Sequence, residues 1–216
     1  MLKALNELIF PMNNICFMCK ERNTEVKDFI CETCYSNLEI VNREISIDSL
    51  YIEKIYYSLV YNRFIRDIIR HYKYNGKNYL YRPLGQIILN TYYKTNIEID
   101  KIAYVPMHRR KEALRGYNQA ELLAKYISKK IEKPLIKDLI KIKSTREQSH
   151  LNKVERMKNL RDSFKIKNKK SINGLRILLI DDIITTGETM NECSRVLKQG
   201  GAKEVIGLAV TSSKIN

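Results

Sequence analysis

The stretch of sequence that decides the fold is Ile177-Leu178-Leu179-Ile180-Asp181-Asp182-Ile183-Ile184-Thr185-Thr186-Gly187-Glu188-Thr189. Its four leading apolar residues predict a strand that is buried on both faces, as in a parallel sheet, and the two carboxylates mark its expected end. A short hydroxyl-rich turn with one glycine follows, and apolar residues then recur at helical spacing up to Leu197. Strand, acidic pair, turn and helix in this order predict an α/β protein, in which ligands bind at the carboxyl ends of the strands.

Other segments predict further elements of the same α/β domain. Apolar and β-branched runs predict strands at 55–61, 102–105, 139–142, 164–166 and 205–211. Apolar residues at helical spacing predict helices over 64–72 and 84–93. The strand at 205–211 is expected to lie beside the strand that begins at Ile177.

The turn after the acidic pair is suited to bind a phosphate. Backbone N–H groups that lead into a helix N-terminus attract anions, and the helix dipole adds to that attraction. The three threonines of the turn add hydroxyl donors, while Gly187 lets the backbone approach a ligand closely. Asp181 and Asp182 repel a phosphate, so they suit sugar hydroxyls, bound directly or through Mg²⁺. The stretch therefore predicts a ligand with a phosphate at one end and a diol beside it, such as ribose 5-phosphate.

The same stretch resembles the signature of type I phosphoribosyltransferases, which use phosphoribosyl pyrophosphate (PRPP). The resemblance implies a mostly parallel sheet flanked by helices. It also implies that Asp181 and Asp182 hold the ribose 2- and 3-hydroxyls, with Mg²⁺ present, and steady the positive charge that develops at C1. The residues implied for the 5-phosphate are Thr185, Thr186, Gly187, Glu188 and Thr189. A buried strand followed by a capped helix, with no ligand, is the alternative interpretation.

A cationic loop after the strand at 102–105 predicts a second anion site. The loop carries His108, Arg109, Arg110 and Arg115. Asn118 then begins a helix as its N-cap, and Glu121 is expected to complete a capping box. Because arginine makes bidentate contacts with phosphate groups, these residues are the candidates to bind a pyrophosphate. His108 is a candidate base, but a phosphate ligand or a structural residue is the more natural role for it.

Four cysteines near the N-terminus form two CxxC pairs. Cys16 pairs with Cys19 and Cys31 with Cys34, and eleven residues separate the pairs. This spacing predicts one tetrahedral Cys₄ site for structural zinc, as in a zinc ribbon. A domain this small has little core, so the metal would supply much of its stability, on the order of 10 kcal/mol. Redox-active dithiols and cysteines without a role are the alternatives.

The positive charge of the chain is concentrated in its middle. The net charge is +15, whereas residues 51–170 alone hold 29 Lys and Arg against 11 Asp and Glu. Such a segment favours a polyanionic partner, although a general enrichment in lysine is the alternative. Within it, tyrosines alternate with cations over 66–82, a pattern that suits single-stranded nucleic acid. The same pattern also fits helices whose tyrosines pack inward.

Several segments together resemble the ComF family of competence-associated, phosphoribosyltransferase-like proteins. They are Lys73-Tyr-Asn-Gly-Lys, Val105-Pro-Met-His-Arg-Arg, Arg115-Gly-Tyr-Asn-Gln-Ala-Glu-Leu-Leu-Ala, the block Gln148…Arg156…Asn159-Leu160-Arg161…Phe164, and the cysteine pairs. The resemblance implies a zinc ribbon over 1–45 and a phosphoribosyltransferase-like domain over 51–216. It implies a mobile hood at 144–162 with Arg146, Gln148, Arg156 and Asn159, for which an ordinary solvated loop is the alternative.

Two functions stay open at this point. The first is a phosphoribosyltransferase that releases pyrophosphate from PRPP and whose acceptor is unknown. The second is a module without transferase activity that binds single-stranded DNA or senses PRPP. The resemblance implies a role in natural transformation, with single-stranded DNA and other competence or recombination proteins as partners. No apolar run is long enough to span a membrane and no signal peptide is recognisable, so a cytoplasmic protein is expected.

Overall fold

The computed structural model describes residues 14–23, 25–144 and 160–213. The strands are β1 (Val26–Lys27), β2 (Ile30–Cys31), β3 (Ile40–Ile45), β4 (Lys54–Val60), β5 (Lys101–Tyr104), β6 (Leu139–Lys141), β7 (Phe164–Ile166), β8 (Arg176–Ile184) and β9 (Glu204–Ser212). The helices are α1 (Glu32–Ser36), α2 (Arg63–Tyr74), α3 (Tyr81–Thr95), α4 (Arg109–Arg115), α5 (Gln119–Ile131) and α6 (Glu188–Gln199). Two short 3₁₀ helices lie at Asn78–Leu80 and Lys169–Ser171.

A five-stranded sheet in the order β3-β4-β9-β8-β5 forms the centre of the protein. Strands β4, β9, β8 and β5 pair in parallel, and only the edge strand β3 runs antiparallel. This mostly parallel sheet with helices packed on it confirms the predicted α/β fold. Because the four parallel strands end at the same edge, the loops that follow them meet there.

Strand β8 is longer than its apolar run predicts. The sequence pattern ends the strand at the two carboxylates, but β8 continues pairing with β9 as far as Ile184, which lies opposite Ser212. That prediction is therefore wrong: the acidic pair belongs to the strand. Since successive side chains of a strand point to opposite faces, the side chains of Asp181 and Asp182 project from opposite faces of the sheet.

The core lies on both faces of the sheet. On one face, Leu178 and Ile180 of β8 are fully buried in a cluster that includes apolar residues of α2, α3 and α5. On the other face, Ile177 and Leu179 pack in a cluster that includes the apolar residues of α6. The deciding strand is thus covered by helices on both sides, as its uninterrupted apolar run predicts.

The helix after the cationic loop begins at the predicted N-cap, Asn118, but without the predicted contact of Glu121. The Asn118 side chain accepts a hydrogen bond from the backbone N–H of Ala120 at 3.0 Å. Glu121 does not complete a capping box; instead, it forms an ion pair with Lys125, one helical turn further on, at 2.8 Å. The capping-box prediction is therefore wrong, although Asn118 is the N-cap.

The cysteine-bearing segment packs directly on the body of the protein. Cys16, Met18 and Ile30 share one apolar cluster with residues of α3. Lys20 Nζ lies 3.2 Å from the ring centroid of Tyr79, and the Phe17 ring meets the same tyrosine edge-on. Strand β3 belongs to the central sheet, and the boundary between a ribbon at 1–45 and a domain at 51–216 stays a prediction. None of the helices described here is long and apolar enough to cross a membrane.

Candidate functional site

A cavity of about 270 Å³ lies where β5 and β8 end. Its walls come from several separate parts of the chain. The residues that line it include Lys73 from α2, the loop 105–108, Lys111 and Arg115 from α4, Asn118 to Ala120 at the start of α5, Lys141 from β6, and Asp181 to Thr189 with the exception of Thr186 and Glu188. The parallel sheet therefore brings the acidic pair, the hydroxyl-rich turn and the cationic loop into one site.

The two carboxylates line this cavity from opposite faces of β8. Asp182 is almost completely buried, and its Oδ2 lies 3.1 Å from Lys73 Nζ. Asp181 is partly open to the cavity, and its Oδ1 accepts the backbone N–H of Asp182 at 2.8 Å. One carboxylate thus has a lysine as its counter-ion, and the other has a backbone donor.

The turn after the acidic pair leaves the start of α6 without a side-chain cap. Its N-cap residue is Gly187, whose φ of 84° is in the left-handed region that glycine tolerates. A Cβ at this position would come within 3.3 Å of Ile47 Cγ2, so the backbone lies tightly against its neighbour. Thr186 Oγ1 is buried and finds no hydrogen-bond partner among the residues that the structure describes. A phosphate bound by the turn would satisfy donors of this kind.

The opposite wall of the cavity is cationic. His108 caps α4, since its Nδ1 accepts the backbone N–H of Arg110 at 3.3 Å. Arg115 Nη1 donates to Gln119 Oε1 at 2.8 Å and so reaches from the end of α4 to the start of α5. Arg109 and Arg110 are exposed and lie outside the cavity lining. A contact of these two arginines with pyrophosphate stays a prediction.

The four paired cysteines come together away from this cavity. The Sγ atoms of Cys16, Cys19, Cys31 and Cys34 all lie within 4.8 Å of one another, and Cys19 is the exposed member. The backbone N–H of Cys31 donates to Cys16 Sγ at 3.4 Å, a contact that stabilises a thiolate. This cluster could hold a metal ion such as zinc. Cys193 lies elsewhere, fully buried on α6.

Comparisons with known proteins agree with this geometry. A family model described as the phosphoribosyl transferase domain matches residues 117–215, which include the acidic pair and the turn. Competence protein ComFC of Bacillus subtilis is 27% identical over 205 residues, 90% of this chain and 82% of that protein. Competence protein F of Haemophilus influenzae is 35% identical over 108 residues, 49% of this chain and 47% of that protein. These similarities support a ComF-family, phosphoribosyltransferase-like protein.

A third relative of this chain carries a different name. DNA utilization protein YhgH of Salmonella typhimurium is 30% identical over 128 residues, 58% of this chain and 56% of that protein. The chain spans about half the length of the Haemophilus and Salmonella relatives that it matches.

Three lysines that the sequence did not predict as site residues line the cavity. They are Lys73, Lys111 and Lys141. Lys73 stands in one of the segments that resemble the family, but nothing local indicates that it meets a carboxylate more than a hundred residues away. Burial lowers the pKa of Lys141, which is consistent with a cation held inside the wall.

Most of the predicted hood lies outside the described residues. Arg146, Gln148, Arg156 and Asn159 lie outside the described residues. Ser144, the last residue described before them, lines the cavity. The hood and its four side chains therefore stay predictions.

The surroundings of the acidic pair shift the pKa of Asp181. Burial, together with the negative charge of Asp182, raises the pKa of Asp181 to about 8, although Lys73 acts in the opposite direction. A cation bound beside Asp181 would favour its charged form and lower this pKa.

We expect the contribution of Asp181 to the free energy of unfolding to fall as the pH rises from about 4 to 8, since over this window its folded form holds a proton that its unfolded form has lost. Asp181→Asn should remove a part of this dependence on the order of 1 to 3 kcal/mol, because the carboxyl is partly open to the cavity. The asparagine oxygen can still accept the N–H of Asp182. Urea unfolding at pH 5 and pH 8 measures the effect.

Asp67→Asn is the matched control, because Asp67 is exposed on α2. It should keep the pH dependence of the wild type. An unchanged dependence in Asp181→Asn would contradict the assignment of the buried proton to this residue.

Proposed function

We propose that the cavity binds PRPP together with Mg²⁺. The observation that carries this proposal is the meeting of an acidic pair and a helix N-terminus without a side-chain cap in one cavity. The turn 185–189 would hold the 5-phosphate through its backbone N–H groups and hydroxyls. The carboxylates would hold the ribose hydroxyls, and the cations of the opposite wall suit the pyrophosphate.

The donor set fits Mg²⁺, which prefers oxygen ligands and is usually held by one or two carboxylates and phosphates. Asp181 and Asp182 are the residues that would hold it. When bound, the ion would neutralise part of the charge on the pyrophosphate. Lys73 is positioned to keep Asp182 oriented towards the cavity, because the two groups already form an ion pair.

We further propose that the site transfers the phosphoribosyl group to an acceptor. As the bond from C1 to pyrophosphate breaks, positive charge develops on the ribose and negative charge on the leaving group. Asp181 and Asp182 would stabilise the first charge, whereas His108 and Arg115 would stabilise the second. Both effects are electrostatic and need no covalent intermediate with the protein.

The double variant Asp181→Asn/Asp182→Asn tests PRPP binding. We expect its affinity for PRPP in Mg²⁺ to fall at least about 50-fold, because neutral amides replace two charge-assisted interactions. Isothermal titration calorimetry measures the effect, and Asp67→Asn should bind as the wild type does. Release of pyrophosphate that occurs only with a particular base would support transfer. Unchanged PRPP affinity in the double variant would contradict the proposed site.

A second function, binding of single-stranded DNA, is favoured by the surface charge. Arg63, Arg66 and Arg70 are exposed on α2 at a spacing that puts them on one side of the helix. Arg109 and Arg110 are exposed on α4. Relatives of this chain bear the names competence protein and DNA utilization protein. We propose that the protein holds single strands during natural transformation, with the basic helices against the phosphates.

The logarithm of the DNA-binding constant falls linearly with the logarithm of the salt concentration. Removing one cation that binds a phosphate should lower the magnitude of this slope by about 0.7. Arg63→Ala/Arg66→Ala/Arg70→Ala should therefore lower the magnitude of the slope by about 2 for an oligothymidylate. Fluorescence anisotropy at several salt concentrations measures it. The control Lys129→Ala/Lys137→Ala/Lys203→Ala removes the same charge from exposed positions elsewhere. Equal slopes in the two variants would contradict the assignment of α2.

We propose that the cysteine cluster holds structural zinc. One zinc per chain is expected by elemental analysis, and Cys19→Ser should remove it and lower the melting temperature. Cys19 is the informative position because it is exposed, so its replacement leaves no cavity in the core. Cys193→Ala should keep the zinc even if it is less stable. Purified protein without zinc, or equal zinc content in Cys19→Ser, would contradict the proposal.

A further inference from the structure

An exposed tyrosine lies just outside the wall of the cavity. Tyr74 is 62% exposed, unlike the other tyrosines of the basic stretch 66–82. Tyr72 is fully buried, and Tyr79 and Tyr81 are partly buried against the core. Three of the four tyrosines therefore pack inward, as in the alternative interpretation of this stretch, and Tyr74 does not.

Tyr74 is connected to the cavity through Arg115. The Arg115 guanidinium carbon lies 4.8 Å from the Tyr74 ring centroid, within the range of a cation–π contact. Arg115 itself lines the cavity. Lys73, the residue before Tyr74, forms the ion pair with Asp182. The exposed ring therefore lies beside the site in which the ribose is proposed to bind.

The support under Tyr74 is fixed by hydrogen bonds. The carbonyl of Tyr72 accepts the Tyr117 hydroxyl at 2.5 Å and Gln119 Nε2 at 3.2 Å. The Tyr72 hydroxyl in turn donates to the carbonyl of Gln119 at 2.9 Å. The end of α2 and the start of α5 are thus tied together, and a ring projecting from this point has a defined position.

Large apolar side chains are exposed at several points near the cavity. Tyr74 follows Lys73, Leu114 precedes Arg115, and Ile142 follows Lys141. In each case the neighbour in sequence lines the cavity.

We infer that Tyr74 and Arg115 form a stacking platform for a nucleobase at the mouth of the cavity. This inference rests on the proposed function, to which it adds a contact for the acceptor. An aromatic ring and a planar guanidinium stack on any base, and the cation also attracts the adjacent phosphate. The ligand is a planar heteroaromatic base, which is either free or part of a single strand.

The absence of tryptophan from the chain gives a direct test. Tyr74→Trp keeps a stacking side chain and introduces the single tryptophan of the chain. Three probes are titrated: adenine, a twelve-residue oligothymidylate, and an abasic phosphate oligomer of the same length, each with and without PRPP and Mg²⁺. We expect quenching by at least one probe that carries bases and none by the abasic oligomer. Quenching by adenine alone identifies a free base as the ligand, and quenching by oligothymidylate alone identifies a strand.

Tyr93→Trp is the matched control. Tyr93 is 57% exposed, also lies next to a lysine, and belongs to α3 rather than to the cavity. Its fluorescence should not respond. Absence of quenching at Tyr74→Trp by both base-carrying probes, or equal quenching at the two positions, would overturn the inference.

Tyr74→Ala provides the second measurement. It should weaken binding of the quenching probe by roughly 5- to 100-fold, whereas Tyr74→Phe should retain it. The affinity for PRPP should change less than about twofold in both variants. Wild-type protein that binds no PRPP would refute the proposed function, while the response of the base-carrying probes decides the platform independently.

Discussion

The site depends on two consecutive carboxylates in a strand of a parallel sheet, of which Asp182 is almost completely buried and Asp181 is partly open to the cavity. The backbone holds both in place, because β8 continues to pair with β9 beyond them. Burying such groups is unfavourable unless hydrogen bonds and counter-ions compensate for the loss of water. Lys73 and the backbone N–H of Asp182 provide part of that compensation. Burial and the charge of Asp182 nonetheless raise the pKa of Asp181, so these two contacts do not fully offset the loss of water.

The other walls of the cavity carry groups that a ligand of the acidic pair could also contact. The acidic pair occupies the floor, the start of α6 offers positive backbone groups on one side, and α4 with α2 and β6 offers cationic side chains. A ligand that carries both a diol and phosphate groups can satisfy all three parts at once. Neither a plain anion nor a plain cation can do so.

The sequence predicts local features better than long-range ones. The apolar run 177–180 and the cysteine pairs each indicate their structure because the physical cause lies within a few residues. The extension of β8 to Ile184 could not be predicted, since it depends on pairing with a strand that begins only after the next helix. The ion pair of Lys73 with Asp182 is also a product of the fold. Glu121 illustrates the same limit: a capping box and a pair with Lys125 both suit its position, and the helix adopts the second.

A crystal structure of the protein with Mg²⁺ and ribose 5-phosphate tests the central claim most directly. We expect phosphate oxygens within about 3.2 Å of backbone nitrogens of the turn 185–189, with the ribose hydroxyls at the two carboxylates. A phosphate that binds among the exposed arginines instead, with the turn and the acidic pair making no contact with the sugar, would contradict it.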